Sequence, residues 1–329
     1  MYNSAVTTTG EETAKKRRAL LDALDKIAAP AADFHALQGP SWGRRLKRVR
    51  ALNVRYVKYL FCRFVIPGSA KARLFWGKKY LWGPPEHSSS MHFYGLLEHP
   101  AEVRLTRFLI RTLADDDVFI DVGANFGFYS LLAAELVKSG RICSFEPVPY
   151  VFESLARNAR SAGMNVQVVD SAVSDRVGVL DFDQAPACRH TGSSFDEESS
   201  RVPGAPRFAF TRIKVRSTTL DSFCAQNGLV PTVIKIDVEG SENLVIAGAR
   251  ATLASAAPTV ILEVLKPPNK NQNHRDAARF LQDIGYRPHV LTDEGGLRPL
   301  DAAALEKEFS SGETANLVFR KQGANARLS

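Results

Sequence analysis

The chain has 329 residues, 45% of them hydrophobic, and a formal net charge of +8; such a length and apolar content suffice for at least one full core and place it among globular proteins. No run reaches the roughly 18 to 20 uncharged apolar residues of a membrane span. The N-terminus, polar at Thr7 to Thr9 and charged from Glu11 to Arg18, lacks a secretory apolar region, so a cytoplasmic location is expected.

The excess charge sits at one end. Residues 1–80 carry 17 Lys and Arg against 5 Asp and Glu, a net of +12, which leaves −4 for the remainder and argues against nucleic acid as the partner of the rest of the chain. Cys62, Cys143, Cys188 and Cys224 form no Cys-x-x-Cys pair, so neither a disulfide framework nor a structural zinc site is expected. The histidines have no metal-ligand spacing either, and no metal is expected.

Residues 11–28 have helical apolar spacing (Leu20, Leu21, Leu24, Ile27) and end at Pro30. Residues 44–66 interleave eight cations with Val54, Val57, Leu60, Phe61, Phe64 and Val65. This basic amphipathic stretch reads as a helix packed by its apolar stripe with its cations outward, or as a contact for a membrane surface or acidic partner. Residues 1–70 thus form a basic, mainly helical extension, and 71–100 an aromatic-rich lead-in with Phe75, Trp76, Tyr80, Trp82, Phe93 and Tyr94.

A regular alternation follows over 101–322, ahead of a short tail at 323–329. It comprises helix 101–113, strand 118–122, helix 126–138, strand 141–146, helix 149–162 and strand 165–170, then strands at 178–182 and 208–215 around a polar loop near 183–207, of a length that is usually functional or disordered. Helix 218–227, strand 232–237, helix 241–255, strand 258–265, helix 273–284 and strands 286–291 and 314–321 complete it, the last pair joined through Gly295-Gly296 without a crossover helix. This rhythm predicts a parallel α/β sheet, with an antiparallel strand at its edge.

Ligands of open α/β sheets sit outside the carboxyl ends of the strands, where this chain concentrates its acids and glycines. Strand 118–122 runs apolar into Asp121, followed by Gly123, Ala124, Asn125 and Gly127, a turn that brings backbone close to a ligand. The next strand ends at Glu146-Pro147, and Glu146, 23 positions after Gly123, is spaced to accept both hydroxyls of a ribose. The turn reads Gly-x-Asn-x-Gly, unlike the Gly-x-Gly-x-x-Gly that seats a pyrophosphate. Ser171 and Ala172, after the third strand, would edge an adenine.

The fourth strand ends in Asp237-Val-Glu239-Gly240-Ser-Glu242, and Glu263 interrupts an apolar fifth strand, where a carboxylate is costly unless partnered. Asp237, Glu239 and Glu263 are therefore the candidate catalytic acids, with Asp237 or Glu239 orienting or deprotonating an acceptor hydroxyl and Glu263 facing the same site. Glu242, opening the next helix, is read mainly as favouring its dipole, and His274 is a minor candidate for a base.

These segments together resemble the FkbM-type methyltransferases: Val118 to Ser130, Phe145-Glu-Pro-Val-Pro149, Ser217-Thr-Thr-Leu-Asp221 and Ile234-Lys-Ile-Asp-Val-Glu-Gly-Ser-Glu242 with Gly248-Ala249. The resemblance implies a class I Rossmann-like sheet of seven strands with the last inserted antiparallel, and S-adenosylmethionine as cofactor held by Asp121, Gly123, Asn125, Gly127 and Glu146, with Ala124 and Pro147 beside them. It also implies methylation of a hydroxyl on a sugar, glycoconjugate or natural product, with the loop near 183–207 bordering the acceptor site. The rival readings are an NAD(P)-dependent oxidoreductase and a cofactor-binding module that anchors a biosynthetic complex. A nucleic-acid methyltransferase would need a basic acceptor face and an Asn-Pro-Pro-aromatic tetrapeptide, and the sequence carries neither. Oligomeric state and acceptor identity stay open.

Overall fold

The computed structural model describes residues 3–36, 70–77, 80–83, 91, 94–97, 99–163, 165–184, 210–264, 271–310 and 315–321. The basic stretch 44–66 and nearly all of the polar loop 183–207 lie outside them.

The first helix, α1 (Asn3–Ala36), carries Pro30 inside it, so the proline removes one hydrogen bond without ending the helix as expected. Strands β1 (Ala70–Arg73) and β2 (Tyr80–Gly83) form an antiparallel pair. The main α/β unit then runs α2 (Pro100–Thr112), β3 (Val118–Val122), α3 (Phe128–Leu136), β4 (Arg141–Phe145), α4 (Pro149–Ser161) and β5 (Gln167–Val169). After it come β6 (Ala172–Val173), β7 (Gly178–Gln184), β8 (Thr211–Thr218), α5 (Leu220–Asn227), β9 (Val233–Ile236), α6 (Glu242–Ala247) and α7 (Arg250–Ser255). The unit ends with β10 (Thr259–Val264), α8 (Gln272–Asp283), β11 (Tyr286–Leu291), β12 (Leu297–Pro299), α9 (Ala302–Ser310) and β13 (Ala315–Lys321).

The sheet order is β12-β11-β13-β10-β9-β3-β4-β5, parallel from β10 through β5, with β13 antiparallel to both of its neighbours. This is the expected seven-strand class I arrangement with an eighth short strand, β12, on one rim. Three details differ from the sequence reading. The last strand is interior, and its approach does include a helix, α9, in the good helix-forming run Ala302-Ala-Ala-Leu-Glu-Lys-Glu-Phe309. The single helix expected over 241–255 breaks at Gly248, where a Cβ would meet Ser174 O at 2.0 Å. Finally, β6 leaves the main sheet to pair with β8 in a separate three-stranded sheet with β7.

Period-two alternation sends the strand side chains into two cores. Phe119, Val233 and Ile261 pack with Leu105, Phe108 and Leu109 of α2 and Leu131 and Leu132 of α3. Ile120, Val122, Ile234, Ile236, Val260 and Leu262 pack on the opposite face with α5 to α9. Helix α1 joins the first core through buried Leu20 and Leu24. It is pinned by Lys16 to Glu135 at 2.5 Å and Arg107 to Asp25 at 2.8 Å. The Arg17 guanidinium donates to the carbonyls of Arg111 and Leu113, at the C-terminal end of α2 where helix carbonyls lack internal donors. Among the described residues no helix is long and apolar enough to cross a membrane.

Candidate active site

The turn after β3 is built from left-handed backbone: Gly123 at φ 77°, Asn125 at 52° and Gly127 at 92°. Gly123 is obligatory on a second ground, because a Cβ there would lie 1.8 Å from the carbonyl oxygen of Asp237. The turn thereby touches the end of β9, two motifs 114 positions apart in the sequence. It also presents the Asn125 N–H to Glu146, whose Oε2 accepts it at 3.0 Å while Oε1 accepts the Val148 N–H at 2.9 Å. An ionised carboxylate has about four acceptor positions; with one donor on each oxygen, Glu146 is fixed and still able to accept a diol. Burial lifts it to about 7, against the pull of the Val148 and Asn125 amides.

Glu146 lines one end of a cavity of about 300 Å³ that runs across the carboxyl edge of β4, β3, β9 and β10. Behind its wall a polar row crosses the sheet and meets the cavity at Lys235. Ser144, Asp121 and Lys235 stand in lateral register on adjacent strands, on the face that also carries Phe119 and Val233. Ser144 donates to Ser130, Ser130 donates to Asp121 Oδ2 at 2.6 Å, and the Lys235 ammonium lies 3.6 Å from Asp121 Oδ1 and 2.9 Å from Asp237 Oδ2. Burial would pull the Lys235 ammonium down, but Asp237 and Asp121 hold it above the ordinary lysine range. Its charge also faces the ring of Tyr129, 5.2 Å from the centroid.

Burial pushes Asp237 up, yet Lys235 and a hydrogen bond from Glu263 hold it below the usual carboxylate range. Glu263 moves the opposite way, well above its ordinary value, through burial and the charges of Asp237 and Glu239. Adjacent acids shifted in opposite directions are suited to different tasks, the lowered Asp237 to accept a proton and the raised Glu263 to hold one. The loop beyond Asp237 is clamped by Glu242, whose Oε1 accepts the N–H groups of Val238 and Gly240 at 3.2 and 3.3 Å and allows Glu239 its φ of 58°.

Gly123, Ala124, Asn125, Glu146, Pro147, Ser171, Ala172, Asp237, Glu239 and Glu263 all line the one cavity. Asp121 and Gly127 do not. Asp121 lies behind the wall, 1% exposed, and acts on the cavity through Lys235, while Gly127 starts α3 where a Cβ would strike Leu155 at 2.5 Å. His274 is fully buried away from the cavity, its Nδ1 2.9 Å from Glu242 Oε2, so it has no access to an acceptor. The sequence reading missed Glu102, Tyr129, Lys235 and Asn316. Only Lys235 left a usable trace, a cation at the centre of an apolar strand two residues before Asp237.

One more atom bears on what the cavity holds. Asn125 Oδ1 is buried at its wall and has no hydrogen-bond partner among the described residues. A buried acceptor in that state costs free energy until a donor arrives, and a nucleoside or aminoacyl group supplies one.

Residues 121–288 match the family described as the methyltransferase FkbM domain. The chain is 27% identical over 165 residues to the hexuronic acid methyltransferase AglP of Haloferax volcanii, a match covering 50% of this chain and 62% of that protein. It is also 27% identical over 172 residues to the 2-O-methyltransferase NoeI of Sinorhizobium fredii (48% and 68%), and 29% identical over 161 residues to the 31-O-demethyl-FK506 methyltransferase FkbM of Streptomyces tacrolimicus (41% and 60%). The chain thus spans about three fifths to two thirds of the length of these relatives.

Proposed function

Since the chain belongs to the FkbM methyltransferase family, we propose that it methylates a hydroxyl oxygen of a sugar, glycoconjugate or natural product, with Asp237 as the base. The carrying observation is that one cavity joins Glu146, a carboxylate held ready for a diol, to Asp237, a carboxylate held ionised by Lys235. The three relatives, a hexuronic acid methyltransferase, a 2-O-methyltransferase and a 31-O-demethyl-FK506 methyltransferase, support the choice of acceptor.

The methyl donor is S-adenosylmethionine, which supplies an electrophilic sulfonium methyl when bound. Glu146 would take the ribose hydroxyls, Ser171 and Ala172 the edge of the adenine, and the turn from Gly123 to Asn125 the aminoacyl end. Asp237 accepts the hydroxyl proton as the acceptor oxygen loses electron density, a step that proceeds at neutral pH because this carboxylate is already ionised. Lys235 and protonated Glu263 fix its orientation from two sides. Glu239 borders the same space and contributes negative charge opposite the acceptor.

Calorimetry with S-adenosylhomocysteine and transfer of labelled methyl groups to a panel of hydroxyl acceptors test this reading. Binding by the wild type that Glu146→Ala weakens at least tenfold is expected; equal affinity in the two proteins would remove Glu146 from the cofactor site. Among acceptors, product that resists mild base and contains an ether methyl is expected, and a methyl ester or methylamine product would replace the hydroxyl reading.

A further inference from the structure

Glu102, at the start of α2, is held like Glu146 by one donor on each oxygen, here from side chains and not from backbone amides. Its Oε2 accepts the Tyr129 hydroxyl at 2.6 Å and its Oε1 accepts the Asn316 side-chain amide at 2.8 Å. Two of its four acceptor positions are therefore filled by fixed neutral donors, one on each oxygen, and the group lines the cavity. The sheet order places Glu146 and Asn316, the residue that holds Glu102, on opposite sides of Asp237. Glu146 follows β4, two strands to one side of Asp237 on β9, and Asn316 begins β13, two strands to the other side. At roughly 4.8 Å per strand, β4 and β13 each lie about 10 Å from β9, and Glu102 reaches over from α2 to the start of β13 through Asn316. Asn316 is also the cross-strand partner of Glu263, which ties Glu102 to the half of the cavity that a cofactor on Glu146 leaves open.

We infer that Glu102 is the specificity-determining residue for the acceptor, and that it accepts hydrogen bonds from a pair of adjacent free hydroxyls beside the one that is methylated. The acceptor class is thus a polyhydroxylated ring with at least three neighbouring hydroxyls, and an isolated alcohol is a poor acceptor. The inference rests on the hydroxyl-acceptor reading above. Burial, with Asp237, raises Glu102, while Tyr129, Lys235 and Asn316 draw it down; two incoming hydroxyl donors complete the shell of its ionised form. A site built to accept from hydroxyls discriminates strongly against an analogue that lacks one, since its own acceptors are then buried unpaired.

The test uses the full chain with labelled S-adenosylmethionine, the methyl pyranosides of glucose, galactose and mannose, and their monodeoxy counterparts. At least one parent glycoside is expected to be methylated, and removal of a hydroxyl next to the methylated one to lower kcat/KM about 10- to 100-fold. Glu102→Gln should lower kcat/KM for the parent by a similar factor, have little further effect on the deoxy compound, and leave the Kd for S-adenosylhomocysteine unchanged. Saturation-transfer NMR on the S-adenosylhomocysteine complex should show the parent glycoside bound by the wild type and weakened in the variant. If Glu102→Gln does not fold, Tyr129→Phe takes its place: it removes one holding donor and should give a smaller loss with the same insensitivity of the deoxy compound. Equal losses on parent and deoxy compounds overturn the inference. So does weakened S-adenosylhomocysteine binding with acceptor kinetics intact, which would put Glu102 on the aminoacyl end of the cofactor. Cofactor binding without transfer to any of these glycosides overturns it as well, whereas absence of S-adenosylhomocysteine binding overturns the proposed function itself.

Discussion

Replacing Glu146 with Gln perturbs folding and cofactor binding through one group, and the two effects have opposite pH dependences. The Glu146 carboxyl titrates at about 7 in the folded protein against 4.5 ordinarily. The folded chain therefore binds a proton that the unfolded chain releases between those values, and the contribution of Glu146 to stability falls as pH rises from about 4.5 to about 7. A displacement of that size corresponds to on the order of 3 kcal/mol. Gln does not titrate, so the variant lacks this slope. It must, however, turn its NH2 toward the N–H of either Asn125 or Val148, and one unsatisfied buried donor costs about 1 to 3 kcal/mol.

The variant is thus expected to be less stable than the wild type by about 1 to 3 kcal/mol at pH 5 and level with it or more stable at pH 8. Urea unfolding at four pH values between 5 and 8, at constant ionic strength, measures this crossing. On the binding side, the carboxylate proposed to accept two ribose hydroxyls becomes an amide with one acceptor oxygen. The Kd for S-adenosylhomocysteine should rise about 10- to 100-fold at pH 8, with the gap narrowing at pH 6 where the wild-type carboxyl is itself protonated. A stability difference that does not change with pH, or a Kd gap that widens toward acid, refutes the assignment of a buried, proton-binding Glu146 at the ribose.

Three further outcomes are expected. Asp237→Asn keeps S-adenosylhomocysteine affinity within a few fold and lowers kcat by at least about 100-fold, measured by single-turnover transfer; undiminished turnover would move the base to Glu239. Lys235→Met leaves buried Asp121 and half-buried Asp237 without their cation and lowers unfolding free energy at pH 7.5 by about 3 to 5 kcal/mol. That loss shrinks toward pH 5 as the two acids protonate, and a loss independent of pH would contradict the polar row. Arg17→Met releases two carbonyls at the end of α2 and costs about 1 to 3 kcal/mol; the melting temperature should drop while the Kd for S-adenosylhomocysteine holds, which separates the packing of α1 from the chemistry.

What could be read in advance follows from how local the signal is. The apolar strands and amphipathic helices between Pro100 and Leu291 have short-range periodicities, and most of their limits match the structure within two or three residues. The turn at Gly123 to Gly127, Glu146 and Asp237 were legible because strand ends mark themselves by an abrupt change from apolar to acid or glycine. The polar row was not, since Ser144, Asp121 and Lys235 meet only through the register of three strands, and register depends on pairing across the sheet. Glu102 was less accessible still: it sits among ordinary charges on an amphipathic helix, and its meaning comes from Asn316, 214 residues away. Asp121 shows the converse. Its motif suggests a ligand contact, and the structure puts it one layer deeper, as the counter-charge of a lysine.

The interior position of β13 governs the timing of folding. A nascent chain can complete β3, β4, β5, β9 and β10 and their helices well before residue 315 is made, but β11 has no place to dock until the strand between it and β10 arrives. Through that interval β10 presents an open edge next to Val260, Ile261 and Leu262, a template for pairing with another chain. Translation pauses or truncations upstream of β13 should therefore yield aggregates instead of a smaller enzyme, and Glu102 gains its Asn316 partner only after the rest of the sheet has been made.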